Sequence, residues 1–122
     1  MRTQVPPEML GPVDTAFLHV ESSASPMNIG AVSIFRGHVD FDAFVRHVDS
    51  RIYQAPLYQK RLIETPLNLG GPAWHFDPDF HVGNHIFQHE LEHPGTEGQL
   101  RELAGRLISR CLDRSKPLWE MY

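Results

Sequence analysis

Two stretches of the chain repeat apolar side chains at helical spacing. Phe41, Phe44, Val45, Val48 and Ile52 fall at i, i+3, i+4, i+7 and i+11, with Arg46, Asp49 and Arg51 between them. Such spacing gathers the apolar groups on one stripe of a helix. Asp40 supplies the short carboxylate that caps free amides at a helix start, and Pro56 is expected to end the element. Leu100, Leu103, Ala104, Leu107, Ile108 and Cys111 form the second stripe. Thr96-Glu97-Gly98-Gln99 precedes it in capping-box form, where the Thr hydroxyl and the Gln side chain satisfy exposed amides reciprocally. Cys111 is therefore expected on the buried side of that helix.

Elsewhere the rhythm shortens. Met27 to Phe35, rich in Ile, Val and Phe and interrupted by Gly30, has a strand's composition. Residues 62 to 80 mix short apolar pieces with Pro66, Gly70-Gly71-Pro72 and Asp77-Pro78, which predicts two short strands around a tight turn. A further strand is expected within Gly83 to Leu91, and Leu118-Trp119-Glu120-Met121-Tyr122 reads as the first half of another. Residues 1 to 11 show no periodicity and predict a surface tail, followed by a helical turn over Pro12 to Leu18 with Phe17 as its anchor. The sum is an α/β chain with a mixed sheet, one domain or a piece of one. The apolar, aromatic final residues suggest an element cut in its middle.

Composition narrows the function classes. The 122 residues carry 11 Lys+Arg against 15 Asp+Glu, a net charge of −4, with 41% hydrophobic content. Those values describe an ordinary globular chain, and one core is feasible at this length. The basic residues are scattered, Lys60-Arg61 being the densest pair, which argues against nucleic acid as a partner. One cysteine excludes an intrachain disulfide and suggests a cytoplasmic setting. No apolar run approaches the roughly 20 residues of a membrane span, so membrane contact would be peripheral.

The candidate chemistry is sparse. His81, His85, His89 and His93 recur every fourth residue and invite a metal reading, yet a strand separates such positions by roughly 13 Å, too far for one ion. Histidines facing solvent or satisfied by hydrogen bonds are the preferred reading, and no metal ligand is assigned. Gly70-Gly71 lacks the further glycine and lysine of a phosphate loop, and Asp77-Pro78-Asp79 reads as turn chemistry rather than an acid/base pair. Cys111 on a buried stripe would be a poor nucleophile.

Several stretches, taken in order, resemble the amino-terminal part of the bacterial wax ester synthase/diacylglycerol acyltransferase family. Pro12-Val13-Asp14-Thr15-Ala16-Phe17-Leu18 resembles its opening segment, with Gly11 where Ser is common, and Pro26-Met27-Asn28-Ile29-Gly30 resembles its Pro-Met-His-Ile-Gly. Arg61-Leu62 through Pro66, Leu69-Gly70, Trp74, Asp77-Pro78-Asp79-Phe80 and Pro94-Gly95-Thr96 continue the pattern. The most specific piece is Leu112-Asp113-Arg114-Ser115-Lys116-Pro117-Leu118-Trp119-Glu120, which contains the family's Pro-Leu-Trp motif.

The resemblance implies the fold of the chloramphenicol acetyltransferase and condensation-domain type, two mixed α/β domains with a tunnel between them. Residues 1–122 would be the amino-terminal segment of the first domain, incomplete on its own. The implied activity is acyl-CoA-dependent O-acyl transfer to a fatty alcohol or diacylglycerol, with acyl-CoA as co-substrate and no separate cofactor. The family's His-His-x-x-x-Asp-Gly motif, whose second histidine is the general base, does not occur in these residues. No catalytic role is therefore carried onto His81, His85, His89 or any other residue here. Pro117, Leu118 and Trp119 alone carry over, as substrate-bordering or strand-positioning residues, and Met27, Ile29 and Gly30 are weaker candidates for the border of an acyl channel. The implied partners are the remainder of the polypeptide, the two substrates, and a membrane or lipid-droplet surface touched peripherally. The alternative is a non-catalytic interaction module that pairs through its aromatic end.

Overall fold

The computed structural model describes residues 8–64, 67 and 70–122. The first helix, α1, spans Pro12–Val20, with Pro12 at a position where its missing N–H costs nothing and Asp14 in the positive first turn. Phe17 is 52% exposed and does not anchor the helix as expected. After α1 the chain reverses tightly, Ser22 and Ser25 exchanging backbone hydrogen bonds of 3.2 and 2.9 Å.

The second helix, α2, spans Phe41–Asp49. The Ala43 N–H donates to the Asp40 carboxylate at 2.7 Å, the anticipated cap. The helix stops well before Pro56: Ile52 opens a 3-10 turn over Ile52–Gln54, and Pro56 opens another over Pro56–Gln59. Ile52 still reaches the core that α2 covers, because the tighter turn continues the same winding direction.

Of the two strands expected within 62 to 80, β3, Ala73–Phe76, lies inside that range, whereas β2, Lys60–Ile63, begins two residues ahead of it. They pair antiparallel with Leu62 opposite Trp74, and the tight turn expected between them falls partly outside the described residues. The predicted surface tail contributes a strand instead. We number it β1, Glu8–Met9; it pairs antiparallel with β3 to give the sheet order β1-β3-β2. The Lys60 ammonium reaches the Glu8 carboxylate at 2.6 Å across that sheet. Residues 1–7, Pro66 and Leu69 lie outside the described residues.

Three expected strands are corrected. Met27 to Phe35 forms no ladder, and its apolar groups face outward, Ile29 fully and Ile34 and Phe35 by 79% and 74%. Strand composition is realised only when a neighbour supplies hydrogen-bond partners, and no described strand lies beside this segment. Within Gly83 to Leu91 the chain makes a 3-10 turn, Val82–Asn84, and then a single parallel bridge from Ile86 to Met121. That bridge is also all that remains of the strand expected from Leu118 to Tyr122.

The third helix, α3, spans Glu97–Ile108 and carries the complete capping box: the Gln99 N–H donates to Thr96 Oγ1 at 3.2 Å and the Thr96 N–H to Gln99 Oε1 at 2.6 Å. Its other end is closed from afar, the Asn28 amide donating to the carbonyls of Ile108 (3.0 Å) and Arg110 (2.5 Å). Because the helix ends at Ile108, Cys111 leaves the stripe and is exposed, contrary to expectation; its thiol lies 3.4 Å from the Ser22 carbonyl. The core is small. Val82, Ile86 and Trp119 are buried and covered by Phe41, Val45, Val48, Ile52 and Phe80. Among the described residues no helix is long and apolar enough to cross a membrane.

Candidate functional site

The Pro-Leu-Trp motif sits where α2, the 3-10 turns and the 80–87 segment converge. Pro117 and Trp119 are buried and Leu118 is half-buried. An indole can enter a core only if its N–H finds an acceptor. Here the Trp119 Nε1–H donates to the Tyr58 carbonyl at 2.7 Å, and the Tyr58 ring meets the indole edge-on at 6.0 Å and 81°. Phe80 closes another side at 6.5 Å. The motif is locally tight as well, the Trp119 N–H donating to the Pro117 carbonyl at 2.9 Å.

The residues that follow are fixed by charge. Arg110, just beyond α3, donates to Glu120 Oε2 at 2.7 Å and to the Tyr122 hydroxyl, and that hydroxyl donates to Glu120 at 2.8 Å. Burial pushes the Tyr122 phenol above its usual range, helped by the hydrogen bond to Glu120 and its negative charge and opposed by Arg110. Phe87 stacks on the Tyr122 ring at 5.1 Å.

Before the motif, Asp113 and Arg114 organise the approach. Asp113 accepts from the Ser115 hydroxyl (2.7 Å) and N–H (2.9 Å), bonds that hold its carboxyl below the usual carboxylate range. Arg114 donates to the Leu18 carbonyl at 2.8 Å and to Glu21 at 3.1 Å, tying the Pro-Leu-Trp approach to the end of α1. Glu21 is held below its usual range first by the Met27 N–H, which donates to it at 3.0 Å, and then by Arg114, against the opposing effect of burial. A cavity of about 280 Å³ opens beside this junction, lined by Leu18, His19, Leu62, Glu64, Pro72 and Arg114. Arg61 spans from β2 to the same loop, donating to the Ser115 carbonyl at 3.4 Å, while its buried Nε lies 3.8 Å from Asp77, too long for a hydrogen bond.

The remaining sequence candidates separate. His81, His89 and His93 are exposed and His85 is buried, and no group of three or more His, Cys, Asp or Glu is placed to hold a metal among the described residues. His81 is spent locally, its Nδ1 accepting from the Gly83 N–H at 3.1 Å. Asp77 accepts from the Asp79 N–H at 3.1 Å, the turn role expected of it. The space beside Gly30 is taken by Ile108, whose Cδ1 would lie 2.8 Å from an added Cβ. Sequence reasoning missed Tyr58, Arg110 and Arg114 as supports of the motif. Of these, only Arg114 carried a signal, its place inside the family segment.

Among the described residues, the arrangement holds the short Pro-Leu-Trp motif within the tertiary core. A family model described as the wax ester synthase/diacylglycerol acyltransferase catalytic domain matches residues 10–122. A probable diacylglycerol O-acyltransferase of Mycobacterium tuberculosis, tgs3, is 38% identical over 112 residues, covering 89% of this chain and 41% of that protein. A second from the same organism, tgs1, is 37% identical over 113 residues, covering 90% of this chain and 24% of that protein. The solved wax ester synthase/diacylglycerol acyltransferase of Marinobacter aquaeolei VT8 superposes with a TM-score of 0.63 at 26% identity, over 93% of this chain and 28% of its own. This chain thus spans less than half the length of each of these relatives, and with the ordered motifs and a matching fold it belongs to the wax ester synthase/diacylglycerol acyltransferase family.

Proposed function

We propose that residues 1–122 are the amino-terminal segment of the first domain of an acyl-CoA-dependent O-acyltransferase, which forms wax ester from a fatty alcohol or triacylglycerol from diacylglycerol. The reading rests on the family match over residues 10–122 combined with a Pro117-Leu118-Trp119 motif held rigidly by the core. In the reaction the alcohol oxygen attacks the thioester carbonyl, a base takes the hydroxyl proton, and the C–S bond breaks to release CoA thiol and the ester. The base belongs to the His-His-x-x-x-Asp-Gly motif, carried by polypeptide outside this chain.

This chain supplies position. Trp119 anchors the motif, and the half-buried Leu118 is the member free to border the substrate. Orienting groups of this kind contribute by holding reactants close to attack geometry. The protein acts in the cytoplasm and meets its lipid acceptor at a membrane or droplet surface. Thiol release from an acyl-CoA in the presence of a fatty alcohol tests the assignment. The chain alone is expected to be inactive, and the same chain joined to the rest of its polypeptide active. Turnover by the isolated chain that disappears when its own histidines are replaced would overturn the reading.

A further inference from the structure

His85 is the only buried polar residue among the described residues, 2% exposed in a core that is otherwise apolar. A polar group in such a place is costly unless it is bonded. Its Nδ1 lies 3.0 Å from the Trp119 carbonyl oxygen, and since a carbonyl only accepts, Nδ1 carries the hydrogen. The ring also stacks on the Trp119 indole at 4.5 Å and 18°, and on Phe80 at 5.4 Å and 29°. The main chain here holds the same segment as well: the Met121 N–H donates to the His85 carbonyl at 2.8 Å, and the Phe87 N–H, two residues on, donates to the Met121 carbonyl at 2.9 Å. A leucine would fill this volume, but it would leave the Trp119 carbonyl unheld. The imidazole therefore does something that packing alone does not require.

We propose that His85 is a positioning residue for acyl transfer, holding the Trp119 carbonyl and indole face so that Pro117-Leu118-Trp119 and the chain beyond it keep one fixed course past the substrate. The inference rests on the proposed acyltransferase reading and deepens it. His85 touches no reacting atom; it acts through Trp119.

Two variants separate the bond from the packing. His85→Phe keeps a ring to stack and loses the donor, whereas His85→Asn places an amide N–H where Nδ1 stands and loses the ring. In the full-length enzyme, His85→Phe should lower kcat by about ten- to a hundred-fold with KM for acyl-CoA unchanged, and His85→Asn should recover most of that loss. Hydrogen exchange on both variants should show protection lost at Phe87 and Met121 in His85→Phe and retained along α3. The proposal is overturned if His85→Phe keeps wild-type kcat, if His85→Asn is no better than His85→Phe, or if protection falls equally across the whole chain. Should the wild-type full-length protein transfer no acyl group, the acyltransferase reading fails by itself. The exchange pattern then still decides the clamp, loss confined to Phe87 and Met121 supporting it and uniform loss refuting it.

Discussion

Trp119 combines the two properties that make a single residue decisive, a large apolar body inside the core and a polar tip with one specific acceptor. Trp119→Phe keeps most of the body and leaves the Tyr58 carbonyl unpaired, so urea unfolding should show a loss of about 1–3 kcal/mol. Trp119→Ala opens a cavity beneath α2 and should cost about 3–5 kcal/mol in the same assay. Glu21 illustrates a residue whose contribution depends on pH. Its folded carboxyl titrates below its unfolded value because the Met27 N–H and Arg114 favour the charged form. It therefore stabilises the fold above the ordinary carboxylate range and loses that contribution as pH falls through the lowered folded value. Glu21→Gln should flatten the acid limb of stability measured as pH falls below the ordinary carboxylate range, and leave the neutral-to-basic limb unchanged in shape.

At the scale of elements, end groups decide where helices stop. Thr96→Ala removes one half of the capping box of α3 and should lower stability by about 1 kcal/mol, read from the midpoint of thermal or urea unfolding. The caps of α2 and α3 were legible in the sequence because Asp40 and Thr96 act within three residues of themselves. The antiparallel pair β2 and β3 was legible for a related reason, since the chain between them is short. The helix ends were less so. Periodicity runs on through Ile52 and Cys111, but the last turn of α3 is closed by Asn28, a residue 80 positions away that no local pattern announces. Met27 to Phe35 has the right residues for a strand and lacks a described ladder, whereas Glu8–Met9 has no pattern and pairs because β3 offers an open edge. The motif Pro117-Leu118-Trp119 was legible as a family signature. Its fixation by Tyr58, His85 and Arg110 was not, because each of those contacts is tertiary.

The whole molecule divides into a packed centre around Trp119 and an apolar margin at Ile29, Val32, Ile34, Phe35 and Val39, all more than half exposed. Exposed apolar side chains in such number lower solubility unless something covers them. Replacing Ile34 by Lys in the isolated chain removes no buried contact, so stability should stay within about 0.5 kcal/mol while the concentration at which the chain aggregates rises; light scattering across a dilution series measures this. The placement of Trp119 also sets a schedule. The side chain at the centre of this core is bonded to a carbonyl 61 positions earlier, so α2 and the 3-10 turns are made before the residue that joins them. Until Trp119 has been made, these elements lack the partner at the centre of their core, and the nascent chain carries them as local structures that tertiary packing has yet to lock.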